Sequence, residues 1–192
     1  MYQKVYKILS LYCSDLKKRF HLREISRLSK LPLKTTVNNL EKLEKNNIVR
    51  SSFEGKHKYY ELNLDNIETK FLLIQTEIYR TSVFLNIYPV FKSFLKEIEP
   101  GNFMAIIFGS FAEFTATKDS DLDMLITSDK PVELPFHLIP YNIHKINLTN
   151  KEFLFSLEKN EALIKEIVAN HIILYNHSYF VDLVWWYYEK KS

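Results

Sequence analysis

The chain has 192 residues, enough for one full domain or two small ones. Apolar residues make up 46% and charged residues 26% of it, a composition that excludes a disordered or low-complexity scaffold. Cys13 is the single cysteine, which rules out an intramolecular disulfide and a multi-cysteine zinc site and suits a reducing compartment. With neither a cleavable leader nor a run of roughly 18 uncharged apolar residues, we expect a soluble, cytoplasmic protein with no membrane partner.

The charge is distributed unevenly along the chain. Residues 1–65 carry 14 Lys and Arg against 7 Asp and Glu, a net charge of +7, whereas the remainder carries 12 against 16 and is at −4. Opposite signs in the two parts predict two modules with different partners, the basic one facing a polyanion and the acidic one able to hold cations.

Apolar spacing in the basic part predicts three helices. The first contains Val5, Ile8, Leu9, Leu11 and Tyr12 and is expected to end near residues 15–19. The second opens at His21, turns Ile25 and Leu28 inward and stops after Leu31, because Pro32 disfavours helix at the preceding residue. The third is capped by Thr35 or Thr36 and runs through Leu40 and Leu43 to about Asn46.

Two short strands follow the third helix. Residues 48–50 and 59–62 have strand character, and the segment between them has Gly55 at its tip. The pattern predicts a β-hairpin with a basic tip.

Three helices, a tight turn between the second and third, and a terminal hairpin resemble the winged helix-turn-helix of prokaryotic transcription regulators. The resemblance covers residues 1–64 and implies that the third helix enters the major groove of duplex DNA. The exposed residues of that helix would then face DNA: Lys34, Thr35, Thr36, Asn38, Asn39 and Lys42. Lys56, His57 and Lys58 would lie in the wing, and Arg23 and Arg27 near phosphate. The alternatives are a solvated basic face and a protein-binding module.

A helical stripe follows the basic part. Ile67, Phe71, Ile74 and Ile78 recur at steps of four, three and four, so the helix must bury one side. Packing between the two modules and contact with a second copy of the chain, a homodimer, are the two alternatives. A further helix is expected over residues 86–98, with Val90, Phe94 and Leu95 packed inward and Pro100 and Gly101 as its stop.

The segment that contains the candidate catalytic residues begins at a buried strand. Residues 103–108 form a short apolar run that ends at Gly109 and Ser110. Residues 121–126 form a second strand, whose alternation places Asp121 and Asp123 on one face. Paired carboxylates bind Mg²⁺, which usually shares its ligands with substrate phosphates, and a Gly-Ser turn offers N–H groups and a hydroxyl to those phosphates.

The sequence FGSFAEFTATKDSDLDMLI resembles the nucleotidyltransferase superfamily of the DNA polymerase β type, in its minimal prokaryotic form. The resemblance implies that Gly109 and Ser110 bind the phosphates of a nucleoside triphosphate, and that Asp121 and Asp123 are catalytic ligands of Mg²⁺ (or Mn²⁺). It places a helix over residues 111–117. The two resemblances together imply an α+β chain of two domains, with a winged helix-turn-helix at 1–65, a connecting helix at 66–84, and a mixed sheet with helices of the nucleotidyltransferase type at 85–192.

The chain departs from this pattern in two places. Glu113 and Phe114 stand where the family often has a glycine and a basic residue. The family's third carboxylate lies on a later strand, here residues 142–148, where His144 and Asn147 are the polar residues and no acid occurs. Glu133 and Asp182 are the nearest acids elsewhere, and both are expected to be solvated.

The tail is predicted to form helices over residues 151–157, 163–168 and 172–186. Its aromatic residues, Trp185, Trp186, Tyr187 and Tyr188, either stack a base or, as we favour, pack in a core or subunit contact.

The family resemblance implies transfer of a nucleotidyl group to a hydroxyl of a nucleic acid or of a protein, since relatives of the minimal domain include antitoxins that modify a toxin-like partner. The alternative is a non-enzymatic transcriptional regulator, in which a degenerate transferase domain senses a nucleotide. The missing third acid distinguishes the two.

Overall fold

The structure is a computed structural model, and it describes residues 3–190. Residues 1–2 and 191–192, which the predicted domains 1–65 and 85–192 include, lie outside the described residues. The contacts divide the chain into two compact units. The first unit comprises the chain up to Tyr79 together with the residues from Val184 onward, and the second comprises Arg80–Leu183.

The first unit combines helices with a small antiparallel sheet. Its elements are α1 (Gln3–Leu9), β1 (Phe20–His21), α2 (Leu22–Ser29), α3 (Leu33–Lys45), β2 (Val49–Glu54), β3 (His57–Leu62) and the first part of α4 (Ile67–Ile87). The strand order is β1-β3-β2. A core of buried side chains joins the helices to this sheet: Ile8, Leu9, Tyr12, Phe20, Ile25, Leu40 and Leu43.

The first helix is shorter than predicted, since α1 ends at Leu9 instead of near residues 15–19. The amides of Leu11 and Tyr12 donate to the carbonyls three residues back, those of Ile8 and Leu9. These bonds to the third residue back are of the 3₁₀ type and end the α-helix at Leu9, although the apolar spacing continues to Tyr12.

The second and third helices form where predicted, with different ends. The ring of His21 accepts a hydrogen bond from the amide of Glu24 and so caps α2. Lys30, at φ 55°, ends α2 at Ser29, before the predicted Leu31. Leu28 is exposed, which corrects its predicted inward orientation. The third helix begins at Leu33, so neither predicted threonine caps it.

The predicted hairpin is confirmed, with longer strands than expected. Val49 pairs with Leu62 at one end and Glu54 with His57 at the other. The turn therefore contains only two residues, Gly55 and Lys56, and Gly55 has φ +58°, a conformation that glycine adopts without steric cost.

The helix α4 is continuous, and the helix predicted over residues 86–98 is reduced to α5 (Phe91–Lys96). Pro89 explains the break, because the residue before a proline is driven out of the helical region. Phe94 is buried as predicted, and Val90 and Leu95 are partly buried against the same core.

The second unit contains the mixed sheet, and this confirms the predicted α+β class. Its elements are β4 (Phe103–Phe108), α6 (Gly109–Ala112), β5 (Leu122–Ser128), β6 (Ile143–Leu148), α7 (Asn150–Glu158), α8 (Ala162–Ala169), β7 (Ile172–Tyr175), the last part of α4, α5, and the first part of α9 (His177–Lys190). The order is β6-β5-β4-β7, with β5 and β6 parallel and the other pairs antiparallel.

Two predictions for this unit are corrected. Residues 172–175 form the edge strand β7 and not helix, since a short buried apolar run has no period that distinguishes the two. The helix after Gly109 has four residues and ends at Ala112, whereas it was predicted over 111–117. Within residues 3–190, no helix is long and apolar enough to cross a membrane.

Candidate functional site

The turn after β4 brings the chain close to the neighbouring strand. Gly109 follows Phe108 directly and has φ +66°. A Cβ atom at this position would lie 2.6 Å from Oδ2 of Asp123, a distance that real Cβ contacts do not reach. Glycine is therefore required here both for its backbone conformation and for the space it leaves.

Asp121 and Asp123 lie on one face at the start of β5, on either side of the buried Leu122. Both carboxylates are partly exposed. In the parallel pairing, His144 of β6 stands directly opposite Asp123. Its Nε2 lies 3.8 Å from Oδ2 of Asp121, and its Nδ1 lies 3.5 Å from Oδ1 of Asp123. The imidazole thus lies between the two carboxylates.

The strand expected to supply a third carboxylate is present as β6, and His144 is its polar residue beside the aspartates. Asn147 is opposite Ile126, three positions further along. It lines a cavity of about 420 Å³ with Ser128 and Lys145 and does not belong to the aspartate pair. Glu133 is in an exposed loop.

The donor set is compatible with a divalent cation of the magnesium type. Among the described residues, no group of three or more His, Cys, Asp and Glu side chains is placed to hold a metal ion. Magnesium, however, is usually held by one or two carboxylates together with substrate phosphates and water. The two adjacent, partly exposed carboxylates supply the protein's part of that requirement.

The loop after Ser110 is tied back to the Gly-Ser turn. The amide of Glu113 donates to the carbonyl of Gly109 at 3.1 Å, and the amides of Thr115 and Ala116 both donate to the carbonyl of Ser110. Phe114, between them, has φ +60°, which is a genuine outlier for a bulky side chain. This loop explains why the predicted helix to residue 117 ends early.

An aromatic group that sequence reasoning missed lies next to this loop. Phe111 contacts Tyr88 and Tyr141, with ring centroids 5.2 and 4.7 Å away, and Tyr88 in turn stacks parallel to Phe114. Burial and the neighbouring Tyr141 hydroxyl raise the pKa of Tyr88 above 10.0. The sequence signal for this group is Phe111 directly after Gly-Ser, with Phe114 three residues further along.

The tail aromatics belong to the first unit. Trp185 and Tyr187 are buried, which confirms the predicted packing role for these two. Trp186 is partly exposed, with the ammonium of Lys190 lying 3.7 Å from its ring centroid.

In the first unit, the candidate DNA-facing residues of α3 divide by exposure. Lys34, Asn38 and Lys42 are exposed, and Thr35 and Asn39 are partly buried. Thr36 is fully buried, and both its amide and its hydroxyl donate to the carbonyl of Pro32. Its predicted DNA contact is therefore wrong, because position 36 lies on the core side of the helix.

The candidate wing residues also differ from one another. Lys56 and His57 are exposed at the tip, whereas Lys58 donates to Oε2 of Glu44 on α3 at 2.9 Å. Burial is the largest single influence on the pKa of Lys58 and would lower it, but the hydrogen bond and charge of Glu44 together with the neighbouring Tyr60 outweigh burial and raise the pKa. Hydrogen bonds from Ser51 and Lys58 hold the pKa of Glu44 below 4.5. Lys58 thus anchors the hairpin to α3.

A mixed sheet in which a Gly-Ser turn meets two strand aspartates is the arrangement of a nucleotidyl-transferring domain. The sequence model of the family described as nucleotidyltransferase domain matches residues 89–191, more than half of the chain. The chain belongs to this family. No curated protein and no solved structure was found to match it.

Proposed function

We propose that the chain binds a nucleoside triphosphate with Mg²⁺ (or Mn²⁺) and transfers its nucleotidyl group to a hydroxyl of a protein or a nucleic acid, with the β- and γ-phosphates leaving as pyrophosphate. The observation that carries the proposal is the close approach of Gly109 to Asp123, which joins a phosphate-binding turn to a carboxylate ligand. The family match supports the kind of reaction.

Each residue of the site has a distinct role in this proposal. The backbone at Gly109 and the hydroxyl of Ser110 hold the phosphates, because N–H groups and hydroxyls are donors suited to an anion. The carboxylates of Asp121 and Asp123 hold the divalent cation. When bound, that cation neutralises charge on the phosphates and polarises the phosphorus under attack.

A calorimetric titration of the full chain with ATP tests the proposal. Binding is expected with Mg²⁺ and not in chelator, because carboxylates without a cation repel the triphosphate. The paired substitution Asp121→Asn and Asp123→Asn should abolish binding, and equal affinity in chelator would refute the cation site. Incubation with labelled ATP, CTP, GTP or UTP then identifies the transferred nucleotide and the acceptor.

For residues 1–65, the proposal is a winged helix-turn-helix that binds duplex DNA. The connection between α2 and α3 has three residues, as in helix-turn-helix motifs, and the hairpin β2-β3 supplies a wing with Lys56 at its tip. The net charge of +7 favours a polyanion. Residues 66–84 connect this domain to the transferase domain, 85–192, and the buried single Cys13 suits the cytoplasm.

The combination favours a regulatory or antitoxin-like role, in which transfer to a partner protein is coupled to DNA binding. One observation favours a second candidate, a non-enzymatic regulator that senses a nucleotide. The position opposite Asp123 on β6 holds His144 where a carboxylate would accept the proton of the attacking hydroxyl.

A further inference from the structure

The loop that follows the Gly-Ser turn holds the aromatic ring of Phe114 on a left-handed backbone. Phe114 is 42% exposed, and its left-handed backbone is unfavourable for a side chain of this size. Residues held in such conformations cluster at ligand-binding sites, where the surroundings stabilise them. Here the hydrogen bonds from Thr115 and Ala116 to the carbonyl of Ser110 fix the ring relative to the phosphate-binding turn.

A second ring faces Phe114. The ring of Tyr88 is parallel to it within 6°, and the two centroids are 6.5 Å apart. A centroid separation of this size is that of a direct aromatic pair, so Tyr88 supports one side of the Phe114 ring, while 42% of the residue stays exposed.

Buried rings support this pair. Phe84 lies 5.0 Å from the centroid of Tyr88 and 6.3 Å from that of Phe114, and Phe111 lies 5.2 Å from that of Tyr88. Neither Phe84 nor Phe111 is exposed to solvent. Phe111 directly follows Ser110 in sequence, so both rings of the pair are connected to the turn proposed to hold the phosphates. The ring of Phe114 is therefore held by a packed aromatic cluster and needs no rearrangement to accept a planar group on its exposed face.

From this geometry we infer that Phe114 provides the base subsite, in which the purine or pyrimidine of the bound nucleotide stacks on the exposed face of Phe114 while Tyr88 supports the ring from its other side. The assignment rests on the proposed binding of the triphosphate at Gly109 and Ser110. Such stacking uses the π-face that every base has. It gives the nucleotide an affinity that its phosphates alone do not have.

The test compares ATP with inorganic tripolyphosphate, which has the phosphates and no base, in calorimetric titrations of the full chain with Mg²⁺. Phe114→Asn removes the ring while keeping a residue that tolerates positive φ. It is expected to weaken ATP binding roughly 5- to 100-fold and to leave tripolyphosphate binding unchanged. Phe114→Trp, which restores a stacking face, should return ATP affinity to near the wild-type value.

The matched control is Phe155→Asn, which removes a 56% exposed phenylalanine from α7 and should change neither affinity. Unchanged ATP affinity in Phe114→Asn would overturn the base subsite while leaving the proposed function in place. Equal loss of both ligands in that variant would also overturn it, because the ring would then act on the turn and not on the base. Wild-type protein that binds neither ligand would refute the proposed function itself.

Discussion

Gly109 combines two constraints at one backbone position, a left-handed conformation and the absence of space for a Cβ atom. Gly55 shares only the first, since it has φ +58° with nothing within 4 Å of an added Cβ. Substitutions at the two glycines therefore distinguish the effect of backbone strain, which both positions share, from the effect of a collision with Asp123, which occurs only at Gly109.

We predict that Gly109→Ala lowers the free energy of unfolding by about 1–2 kcal/mol through the left-handed conformation, and that it also weakens Mg-ATP binding by displacing the Asp123 carboxylate. Chemical denaturation and calorimetry measure the two effects. Gly55→Ala is the control, expected to lose similar stability and to retain ATP affinity. Full ATP affinity in Gly109→Ala would show that Asp123 is not a ligand.

His144 lies opposite Asp123 on β6. Replacing it with a carboxylate tests whether the absence of an acid at this position limits the rate of transfer. We predict that wild-type transfer is slow, and that His144→Asp raises the transfer rate by roughly 10² or more, as general-base assistance does. The labelled-nucleotide assay measures the rate.

Asn147→Asp is the control for that substitution, because Asn147 lies on the same strand but opposite Ile126 and should have no effect. Fast wild-type transfer that neither substitution changes would contradict the requirement for a carboxylate on β6.

At the scale of elements, Glu44 joins α3 to the hairpin through hydrogen bonds from Ser51 and Lys58. Its pKa is lower in the folded chain than the ordinary value of 4.5. A carboxylate with a depressed folded pKa stabilises the fold above its unfolded pKa, and this contribution is lost as the pH falls through the folded pKa.

We therefore predict that Glu44→Gln lowers the free energy of unfolding by about 0.5–1 kcal/mol at neutral pH, a value kept small because the pair is partly solvated. The difference from wild type should vanish as the pH falls below 4.5. Urea denaturation at several pH values measures it. Glu41→Gln, at an exposed position of the same helix, should show no such pH-dependent loss.

Three members of the predicted apolar stripe on α4, Ile67, Phe71 and Ile78, are 54%, 54% and 48% exposed, and the fourth, Ile74, is partly buried. Packing between the modules and contact with a second copy of the chain both stay predictions. The spacing determined which residues share a face, but what covers that face depends on tertiary or quaternary contacts.

Light scattering of wild type and Phe71→Glu tests the second of these alternatives, the homodimer. If a second copy covers the stripe, the wild type is dimeric, and the variant is shifted to monomer because a carboxylate cannot be buried there without a partner. Monomeric wild type at tens of micromolar would reject the homodimer. The free energy of unfolding of the monomer should change by no more than about 0.5 kcal/mol, as for other surface substitutions.

At the scale of the whole molecule, the charge separation between the first 65 residues and the rest predicts DNA binding that weakens steeply with salt. Each phosphate contact adds about one unit to the slope of log affinity against log salt. We expect the double substitution Lys34→Ala and Lys56→Ala to reduce that slope by about 2. Titration of the full chain with random duplex at several salt concentrations measures it.

Lys151→Ala with Lys165→Ala is the control for the DNA titration, since both lysines are exposed in the second unit. This pair should leave the slope unchanged. An equal reduction by the two pairs would mean that only net charge matters, and no binding by the wild type would remove the DNA-binding proposal.

Local sequence patterns were sufficient for the elements that surround the candidate site. The strand Phe103–Phe108 was predicted to the residue, because its apolar run is bounded by a Pro-Gly break and a glycine. The strand beginning beside Asp121 and the later strand that carries His144 were also predicted. Alternation along a strand is a local property, so it correctly assigned both aspartates to one face.

Only the tertiary structure decided which side chains meet. The pairing of β5 with β6 places His144 and not Asn147 against the aspartates, and a register between strands is not encoded in either strand alone. Thr36 is buried because the core determines which side of α3 faces inward. The parallel rings of Phe114 and Tyr88 depend on a left-handed residue and on contacts far apart in sequence. Periodicity describes one element at a time, whereas register, burial and ring stacking arise from several elements packed together.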